Sequence, residues 1–570
     1  MGPKLIMKRN KVLLLIILAL AVFLRVYGLN KMPPELFGDE VDVGYQAYSL
    51  LKTARDYRGN FLPFYSESFA EPRAPLLLYA AVPFVALFGL NEWGVRLTPA
   101  FFGVLSIFVL YLLVREIFND NRLALSTAFL LTITPWHLSY SRAAFEVTLL
   151  LFLILLATLS FFRALKGKAK FWPMAALSFG LSFYAYNTAN VFVPLWGLFL
   201  LVAYKKEVNE IWRKSSKIIL FSSVIFLLVI SPLLKEVFLG SAGFRFKLVS
   251  IFSDPKMIDF ISFKRSFETF GSLTEKLAHN KAIIVPKTFL GNYFEALSFK
   301  FLYITGDANP RHSFPGTGLL FLSFLPIFLL GFYQIFVKKS KEFWLLFGWL
   351  LIAPIPSSLT VDGGSHATRL FLMLPPLTIF SAFGLTTLFK RRILNLFLGI
   401  LAILLLVEVF LYTHEILVHY TKEHFRYWHY GYREVLQDYK NNSKICQKFY
   451  LNNSHEPFLI RYLFWTKVDP IWFLQNFKGD QDNLTIKEVF KGFALGNASF
   501  GKNAYFGKVV KGDKLDAIKR LLEGKDACYI AFQGDEIPGD WDISKEKIEG
   551  VQVLGKVSDP WGKPYIYLLH

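Results

Sequence analysis

Long hydrophobic runs and short basic connectors alternate along the first 412 residues of the chain. The runs include "VLLLIILALAVFL", "LLLFLILLATLSFF", "IILFSSVIFLLVI", "LLFLSFLPIFLLGF" and "ILNLFLGILAILLLVEVFL". Several reach the ~20 residues that cross ~30 Å of hydrocarbon as an α-helix. The first run is longer than the core of a signal peptide, and no small-residue cleavage site follows it, which indicates a retained helix. The pattern predicts a polytopic α-helical membrane protein.

The basic connectors predict how the chain threads through the membrane. They read "KLIMKRNK", "REIFNDNR", "RALKGKAK", "YKKEVNEIWRKSSK", "VKKSKE" and "FKRR". Lys and Arg in short loops stay on the cytoplasmic side. Placing all six inside gives eleven spans, near 11–28, 98–117, 123–140, 146–164, 171–187, 189–204, 218–236, 317–337, 343–360, 370–389 and 393–412. The protein is then integral to the cell membrane, with a cytoplasmic N-terminus and an external C-terminus.

One apolar run, "PLLLYAAVPFVALFGL" (75–90), does not fit this threading. It is short for a crossing, it contains two prolines, and counting it as a span would invert later connectors. We therefore predict a juxtamembrane helix that lies in or dips into the outer leaflet.

Two domains follow from this threading. Residues 1–412 form a transmembrane domain with external loops at 29–97 and 237–316. Residues 413–570 lose the long apolar runs and alternate helical stretches with short β-like runs, which predicts an external, soluble α/β domain. Cys446 and Cys528 both lie in this domain, and a disulfide and two buried thiols are equally open alternatives.

Composition narrows the class of protein. The chain is 54% hydrophobic with a net charge of +20, and its mean hydropathy of +0.39 excludes an ordinary soluble globular protein. The positive charge lies in the membrane connectors, so it indicates contact with membrane lipids and argues against a nucleic-acid partner.

The first candidate chemistry follows the first span, in "LFGDEVDVGYQAYSLL" (36–51). At helical spacing, Asp39, Asp42, Gln46 and Ser49 share one stripe, and Val41, Tyr45 and Tyr48 share another. This predicts an amphipathic helix along the outer membrane face that begins at Asp39. Ionisable groups at membrane depth are functional candidates, which selects Asp39, Glu40 and Asp42. The alternative is that Asp39 only caps the helix, with Asp42 as a weak capping-box partner.

A second acidic position and a set of cations lie at other external boundaries. In "PWHLSYSRAAFEVTLL", Arg142 and Glu146 are four residues apart, as in a functional pair or a plain surface ion pair. Cations recur beside Gly-rich turns whose backbone N–H groups can also face an anion. They are Arg73, Arg96, Arg311, His312, His366 and Arg369. One such residue alone would be a snorkelling side chain, whereas several on one face indicate a phosphate site.

Carboxylates and phosphate-binding cations at the outer leaflet fit a lipid-linked phosphosugar. A polyprenyl phosphate is a good leaving group once its charge is stabilised, a role predicted for Arg73, Arg96, Arg311 and Arg369. One carboxylate can then activate the acceptor as a general base, a role predicted for Asp39 in an inverting displacement. A divalent metal ion held by Asp39, Glu40, Asp42 and Glu146 remains an open alternative.

At these residues the chain resembles GT-C-fold membrane glycosyltransferases of the protein-O-mannosyltransferase and aminoarabinose-transferase superfamily. The resemblance covers roughly residues 10–410 and rests on the acidic pair "DE" after the first helix, on "GLNEWGVRLTPAFFGVLSIFVLYLL" and on "SRAAFE". It implies that Asp39 is the catalytic base, Glu146 the second acidic position and Arg96 the cation before the second span. The expected partners are a polyprenyl-phosphate sugar donor and a lipid, glycan or protein acceptor, and the resemblance does not itself imply a protein acceptor.

The chain departs from the family pattern at two places. Arg73-Ala74-Pro75 stands where His/Lys-Pro-Pro is frequent, and Glu146 stands where Asp is common. Two other functions stay open. A transporter predicts inverted repeats and ionisable residues near span midpoints, yet the charges lie at the outer edge apart from Glu408. A polysaccharide polymerase or ligase would use the same type of leaving group.

Overall fold

The computed structural model describes residues 3–68, 72–239, 249–267, 272–390, 395–453, 457–477, 485–487, 490–503, 514–523, 526–539 and 541–570. The chain divides into two compact units. The first unit comprises Met1–Tyr27, Phe64–Leu77 and Leu97–Glu415, and the second unit comprises Gly28–Pro63, Leu78–Arg96 and Ile416–His570. The predicted domain boundary after residue 412 stays a prediction, because the second unit also includes two segments from the first hundred residues.

Helices dominate the chain up to residue 414. The α-helices are Pro3–Val26, Gly38–Thr53, Leu76–Phe88, Glu92–Phe118, Asn121–Ile133, Pro135–Tyr140, Val147–Leu165, Phe171–Ser182, Ala189–Ala203, Lys205–Leu239, Pro255–Ser266, Ser272–Ala278, Lys281–Ala296, Phe324–Lys338, Lys341–Ile352, Ile355–Ser358, Leu374–Lys390, Asn395–His414, Thr421–Glu423, Tyr432–Asn441, Phe458–Trp465, Pro470–Asn476 and Lys514–Leu522. Lys300–Thr305 and Glu415–Tyr420 are π-helical, and Phe371–Met373, Phe425–Trp428 and Ile543–Lys545 are 3-10 turns.

Every predicted span overlaps a helix, but several helices are shorter than predicted. The predicted span 123–140 is divided at Thr134, since Pro135 disfavours helical backbone at the residue before it. The predicted span 343–360 is interrupted after Ile352, close to Pro354 and Pro356. Among the described residues, five helices are long and apolar enough to cross a membrane: Glu92–Phe118, Val147–Leu165, Lys205–Leu234, Phe371–Phe389 and Leu396–Glu423. The count of eleven therefore stays a prediction.

Small residues let two helices of the first unit approach closely. A Cβ on Gly331 would lie 1.9 Å from the carbonyl oxygen of Phe380, and a Cβ on Gly384 would lie 1.8 Å from that of Ile327. The helices Phe324–Lys338 and Leu374–Lys390 therefore pack backbone against backbone, as small residues permit in membranes.

The C-terminal part of the second unit contains a mixed seven-stranded sheet, which confirms the predicted α/β character. The strands are β3 (Lys448–Asn452), β4 (Thr485–Lys487), β5 (Phe490–Leu495), β6 (Ala498–Asn503), β7 (Ala527–Phe532), β8 (Val553–Ser558) and β9 (Pro564–Leu569), after a small pair β1 (Ser66–Glu67) and β2 (Pro72–Arg73) in the first unit. The order is β4-β5-β6-β3-β7-β9-β8. Strand β3 runs parallel to β6 and β7, and the other pairs are antiparallel.

The core of this sheet explains the apolar runs that predicted it. Strand β7, "ACYIAF", is buried at every position, as a strand covered on both faces should be. The helix Lys514–Leu522 lays Leu515, Ile518 and Leu521 into the same core. Cys446 and Cys528 form a disulfide with a Cα–Cα distance of 5.5 Å, which resolves the alternatives that the sequence left open.

Candidate functional site

The acidic helix, Gly38–Thr53, begins one residue before Asp39, two before Glu40 and four before Asp42. Phe37 is its N-cap, and Glu40 at the third helical position accepts a hydrogen bond from the Phe37 N–H at 3.4 Å. The predicted start at Asp39 is therefore wrong by one residue, and so is the alternative that Asp39 caps the helix. The capping function belongs to Glu40 because its longer side chain reaches back over the first turn.

The polar stripe of the acidic helix is buried, which corrects its predicted amphipathic exposure. Asp42, Gln46 and Ser49 are buried together with the apolar Val41 and Tyr45. Tyr57 provides the polar partners: its hydroxyl donates to Asp42 Oδ1 at 3.1 Å and its backbone N–H to Gln46 Oε1 at 3.4 Å. The stripe therefore faces protein groups of the same unit.

Close helix packing explains why this helix contains a glycine. A Cβ on Gly44 would lie 2.4 Å from a ring carbon of Phe464 and 2.7 Å from a methyl of Val95. Helix Phe458–Trp465 and the start of helix Glu92–Phe118 thus press against the acidic helix. This packing fixes the orientation of the acidic residues one turn away.

Glu40 and Arg96 form a fully buried, bidentate ion pair. The Nε and Nη2 groups of Arg96 donate to Glu40 Oε1 and Oε2 at 3.0 and 2.9 Å, and both side chains are 0% exposed. The guanidinium also donates to the carbonyl oxygens of Leu29 (3.0 Å), Pro33 (2.8 Å) and Glu35 (2.7 Å). Together these contacts use all five N–H donors of an arginine.

This geometry corrects the predicted roles of Arg96 and Glu40. Arg96 has no N–H left for a phosphate oxygen, and Glu40 accepts from the guanidinium and from Phe37 rather than facing a substrate. The pair ties the acidic helix to the segment from Leu29 to Glu35, so it positions the neighbouring Asp39. Asp39 itself is half-buried in the first turn of the helix.

Glu35 is a buried carboxylate that the sequence did not single out. Its two oxygens accept from the backbone N–H groups of Gly431 (2.6 Å) and Arg433 (2.7 Å). These N–H groups lie at the N-terminus of helix Tyr432–Asn441, where the helix dipole favours an anion. Burial raises the pKa of Glu35 well above its usual value, and nearby Glu434 adds to the rise.

A histidine and an arginine lie at the N-terminus of the acidic helix. The Gly38 N–H donates to His429 Nδ1 at 3.2 Å, and Arg461 Nη2 lies 2.6 Å from the same nitrogen. Arg461 is buried and its guanidinium lies over the ring of Tyr432 at 4.7 Å. No sequence pattern indicated these two residues, because they are 32 positions apart and only the fold brings them to the same helix end.

In the first unit, Arg142 and Glu146 are not neighbours on one helix. Residues 141–145 form turns between helix Pro135–Tyr140 and helix Val147–Leu165. Glu146 is the N-cap of the second helix, and Arg142 Nη1 donates to the carbonyl of Leu24 at 2.8 Å. One helix therefore ends before Arg142 and the next begins after Glu146, close to the predicted span limits at 140 and 146, and the pairing of Arg142 with Glu146 stays a prediction.

Two other predicted residues, His312 and His366, do come together. Their ring centroids are 4.9 Å apart. His312 Nδ1 lies 3.0 Å from Asp307 Oδ2, and the same oxygen accepts from the Ala367 N–H at 2.8 Å. Burial alone would raise the pKa of Asp307, but the contact with His312 and the N–H donors of Asn309 and Ala367 lower it. Burial and then Arg369 lower the pKa of His366 to about 4.

The remaining predicted cations have distinct positions in the first unit. Arg369 forms an ion pair with Asp362 and donates to Thr360 Oγ1 at 2.6 Å. The Arg311 N–H donates to Asn309 Oδ1 at 3.1 Å in the turn beside His312. Arg73 is half-buried in the short strand β2. Asp307 and Asp362 escaped the sequence argument, although each precedes a selected histidine by five or four residues.

Comparisons with known proteins find similarity to glycosyltransferases. The family model described as dolichyl-phosphate-mannose-protein mannosyltransferase matches residues 72–235. Two Bacillus subtilis (strain 168) proteins, both named as candidate mannosyltransferases, match as well. YkcB is 28% identical over 204 residues, covering 35% of this chain and 27% of the relative. YycA is 26% identical over 209 residues, covering 36% and 29%. The chain thus matches less than a third of the length of these relatives.

A solved structure shows the fold over the whole chain. ArnT from Cupriavidus metallidurans in the apo state matches with a TM-score of 0.53 at 12% identity, covering 97% of both chains. The same protein bound to undecaprenyl phosphate matches with a TM-score of 0.48 at 12% identity, covering 100% of this chain and 98% of that one. The predicted resemblance is confirmed, and the chain has the fold of the GT-C membrane glycosyltransferases with a C-terminal sheet domain.

Proposed function

We propose that this protein is a glycosyltransferase that moves a sugar from a polyprenyl phosphate to an acceptor hydroxyl or amine at the outer face of the membrane. Asp39 acts as the general base, and the reaction inverts the configuration of the sugar. The observation that carries the proposal is the separation of roles within "GDEVD". Glu40 is buried against Arg96 and Asp42 is buried against Tyr57, whereas Asp39 is half-buried.

A general base has to come within hydrogen-bond distance of the proton that it removes. Glu40 does not meet this requirement while its two oxygens accept from Arg96. Asp42 is only 4% exposed and accepts from the Tyr57 hydroxyl. Asp39 lies on the first turn of a helix that the Glu40–Arg96 pair and the Gly44 packing hold in place, which supports it as the carboxylate that meets the acceptor.

The donor phosphate needs cations whose side chains can donate N–H groups to its oxygens. Arg96 is removed from the predicted set by its five internal contacts. His312, Arg311 and His366 remain as candidates, with Arg369 after it exchanges its exposed partner Asp362 for phosphate. Charge-assisted contacts to phosphate stabilise the charge that develops on the leaving group. ArnT, which shares the fold, is described as bound to undecaprenyl phosphate, so this carrier is the first to test.

The disulfide in the second unit supports the proposal that the reaction takes place on the external side of the membrane. Disulfides form and persist in oxidising compartments and are rare in the cytosol, and Cys446 and Cys528 are bonded. Together with the basic connectors, this supports the predicted orientation of the protein in the cell membrane.

The test is lipid analysis of cells with and without the gene. The proposal predicts that deletion causes a polyprenyl-phosphate monosaccharide to accumulate and that the wild-type gene reverses this. Because the family and both relatives are named for mannose, mannose is the first sugar to examine. Unchanged polyprenyl-linked sugars in the deletion strain would contradict the proposal.

The same measurement separates the alternatives. A polymerase or ligase would cause lipid-linked oligosaccharides to accumulate in place of a monosaccharide. A transporter would alter the distribution of a solute while leaving the lipid-linked sugars unchanged. Purified protein incubated with polyprenyl-phosphate mannose then gives the configuration of the product by NMR, and retained configuration would contradict the single-displacement mechanism.

A further inference from the structure

Asp307, His312 and His366 form a compact group of potential metal ligands in the first unit. One ligand atom from each residue lies within 4.8 Å of the others. Two ligands of one ion, each bonded at about 2.0–2.2 Å, are themselves about 3.0–3.5 Å apart, depending on the bond angle. The 3.0 Å separation of His312 Nδ1 and Asp307 Oδ2 already has this spacing.

The carboxylate of this group is held in place by the backbone. Asp307 Oδ1 accepts from the Asn309 N–H at 2.8 Å, and Oδ2 accepts from the Ala367 N–H at 2.8 Å. The Ser313 hydroxyl also donates to the Asp307 carbonyl at 2.8 Å. These contacts join the turn that contains His312 to the turn that contains His366. Outer hydrogen bonds of this kind orient ligands in metal sites.

His366 supplies an independent observation. Its Nδ1 atom is buried and makes no hydrogen bond within the part of the chain that the structure describes. A buried polar atom left without a partner costs about 1–3 kcal/mol, and an imidazole nitrogen with a lone pair can be satisfied by a metal ion. Glycine at 306 permits the turn before Asp307, since its φ is +62° and a Cβ would lie 2.7 Å from Ser313 Oγ.

We propose that Asp307, His312 and His366 bind a divalent transition-metal cation such as Zn²⁺ or Mn²⁺. Two imidazoles and one carboxylate suit these ions better than Mg²⁺ or Ca²⁺, which prefer oxygen ligands. The ion displaces the proton shared by His312 and Asp307, as metal binding to protonated ligands does. Three protein ligands leave coordination positions open. If the proposed function holds, an oxygen of the donor phosphate occupies one of them.

This site differs from the divalent-metal site that the sequence analysis kept as an alternative, at Asp39, Glu40, Asp42 and Glu146. Of the carboxylates considered there, Glu40 is engaged by Arg96 and Asp42 accepts from Tyr57. The rival explanation of the new group is a purely structural hydrogen bond between His312 and Asp307. The purely structural explanation predicts no saturable metal binding.

The test is equilibrium dialysis of purified full-length protein, stripped with a chelator, against radioactive Zn²⁺. The proposal predicts about one saturable equivalent in the wild type, and at least tenfold weaker binding in His312→Gln and His366→Gln, since even outer-sphere changes cost 10–100-fold in affinity. His419→Gln is the matched control, because His419 also lies near a carboxylate, 3.5 Å from Glu423. Its Zn²⁺ affinity should equal that of the wild type.

A thermal-shift measurement guards against variants that fail to fold. Zn²⁺ should raise the melting temperature of the wild type by mass action and leave the melting temperature of folded His312→Gln unchanged. If neither variant folds, pulsed EPR of Mn²⁺ on wild-type protein with ¹⁵N-labelled histidine decides, because bound imidazole nitrogens couple to the ion. Absence of saturable binding, or of the nitrogen coupling, in the wild type overturns the site. These binding results do not depend on sugar transfer, so failure of the proposed function is separately visible.

Discussion

Substitution of Arg96 tests whether this residue supports the fold or binds the donor phosphate. The sequence assigns it to the donor phosphate, whereas in the structure its guanidinium is buried and engaged by Glu40 and three carbonyl oxygens. The structural account predicts that Arg96→Ala and Arg96→Lys impair folding and leave the donor affinity of the folded protein unchanged.

The contacts give the size of the effect. Removing one partner of a buried ion pair costs about 3–5 kcal/mol, because the other charge remains buried. Each of the three carbonyls of Leu29, Pro33 and Glu35 loses a hydrogen bond worth about 1 kcal/mol, and water that enters the space recovers part of this. We therefore expect Arg96→Ala to lose about 5 kcal/mol. Arg96→Lys keeps the charge but loses the planar fork, so we expect about 2–3 kcal/mol.

The assay is urea unfolding of the full-length protein in mixed detergent micelles, combined with a double-mutant cycle. Arg96→Ala and Glu40→Gln are measured singly and together. Because Glu40→Gln removes the charge that Arg96→Ala would leave unpaired, the double variant should lose at least 1.5 kcal/mol less than the sum of the single losses. Donor binding is measured on the folded fraction of Arg96→Lys and should stay within about threefold of the wild type.

Two results together would refute this reasoning. They are a stability of Arg96→Ala within about 0.5 kcal/mol of the wild type, the range of ordinary surface changes, and a donor affinity of Arg96→Lys at least tenfold weaker. That combination would return Arg96 to the phosphate site predicted from the sequence.

Three further predictions test other parts of the account. In the otherwise thiol-free protein, Lys52→Cys should react with an impermeant maleimide on intact cells, and Lys338→Cys only after permeabilisation; the opposite pattern would contradict the orientation. Glu408 accepts from the N–H groups of Leu322 (2.6 Å) and Ser323 (3.0 Å), so Glu408→Ala should lower the melting temperature more than Glu408→Gln, which keeps an acceptor. Burial raises the pKa of Glu536 to about 7, so its carboxyl holds a proton more tightly in the folded state. Its contribution to stability is complete below pH ~4.5 and falls by about 3 kcal/mol as pH rises through 7; Glu536→Gln should flatten this dependence in urea midpoints from pH 5 to 8.

The apolar runs predicted the helices well because hydrophobic length and helix length are directly linked in membranes. The predicted helix limits were wrong where the backbone breaks inside an apolar run, because hydropathy does not detect such breaks. An unbroken apolar stretch across Thr134 and Pro135 is one span by hydropathy and two helices in the structure. The short β-rich runs predicted the α/β character of the C-terminal region. They did not predict that β3 pairs in parallel with β6 and β7, because this pairing depends on contacts between residues distant in sequence.

At the candidate site, the sequence identified the acidic motif and left the roles of its members undecided. Asp39, Glu40 and Asp42 are adjacent carboxylates, and only burial and partners distinguish them. The Glu40–Arg96 pair joins residues 56 positions apart, so no local spacing could reveal it. The histidines were selected as phosphate ligands because they were counted as cations. Asp307 was overlooked because a single aspartate in a Gly- and Pro-containing turn is commonly a turn residue.

The rate of sugar transfer by Asp39→Asn shows whether Asp39 is the general base. The N-cap position of the acidic helix is Phe37 and not Asp39, so Asp39→Asn removes no cap, and loss of the charge in the first turn costs about 0.3–1 kcal/mol through the helix dipole. The matched control is Asp120→Asn, which changes a half-buried aspartate that caps another helix, and Asn caps as well as Asp.

Initial rates with polyprenyl-phosphate mannose are measured for both variants and the wild type, at equal amounts of folded protein. The account predicts a loss of at least 10²-fold in Asp39→Asn, because an amide cannot accept the proton of the acceptor, and wild-type activity in Asp120→Asn. Transfer by Asp39→Asn within about threefold of the wild type would contradict the assignment of Asp39 as the base.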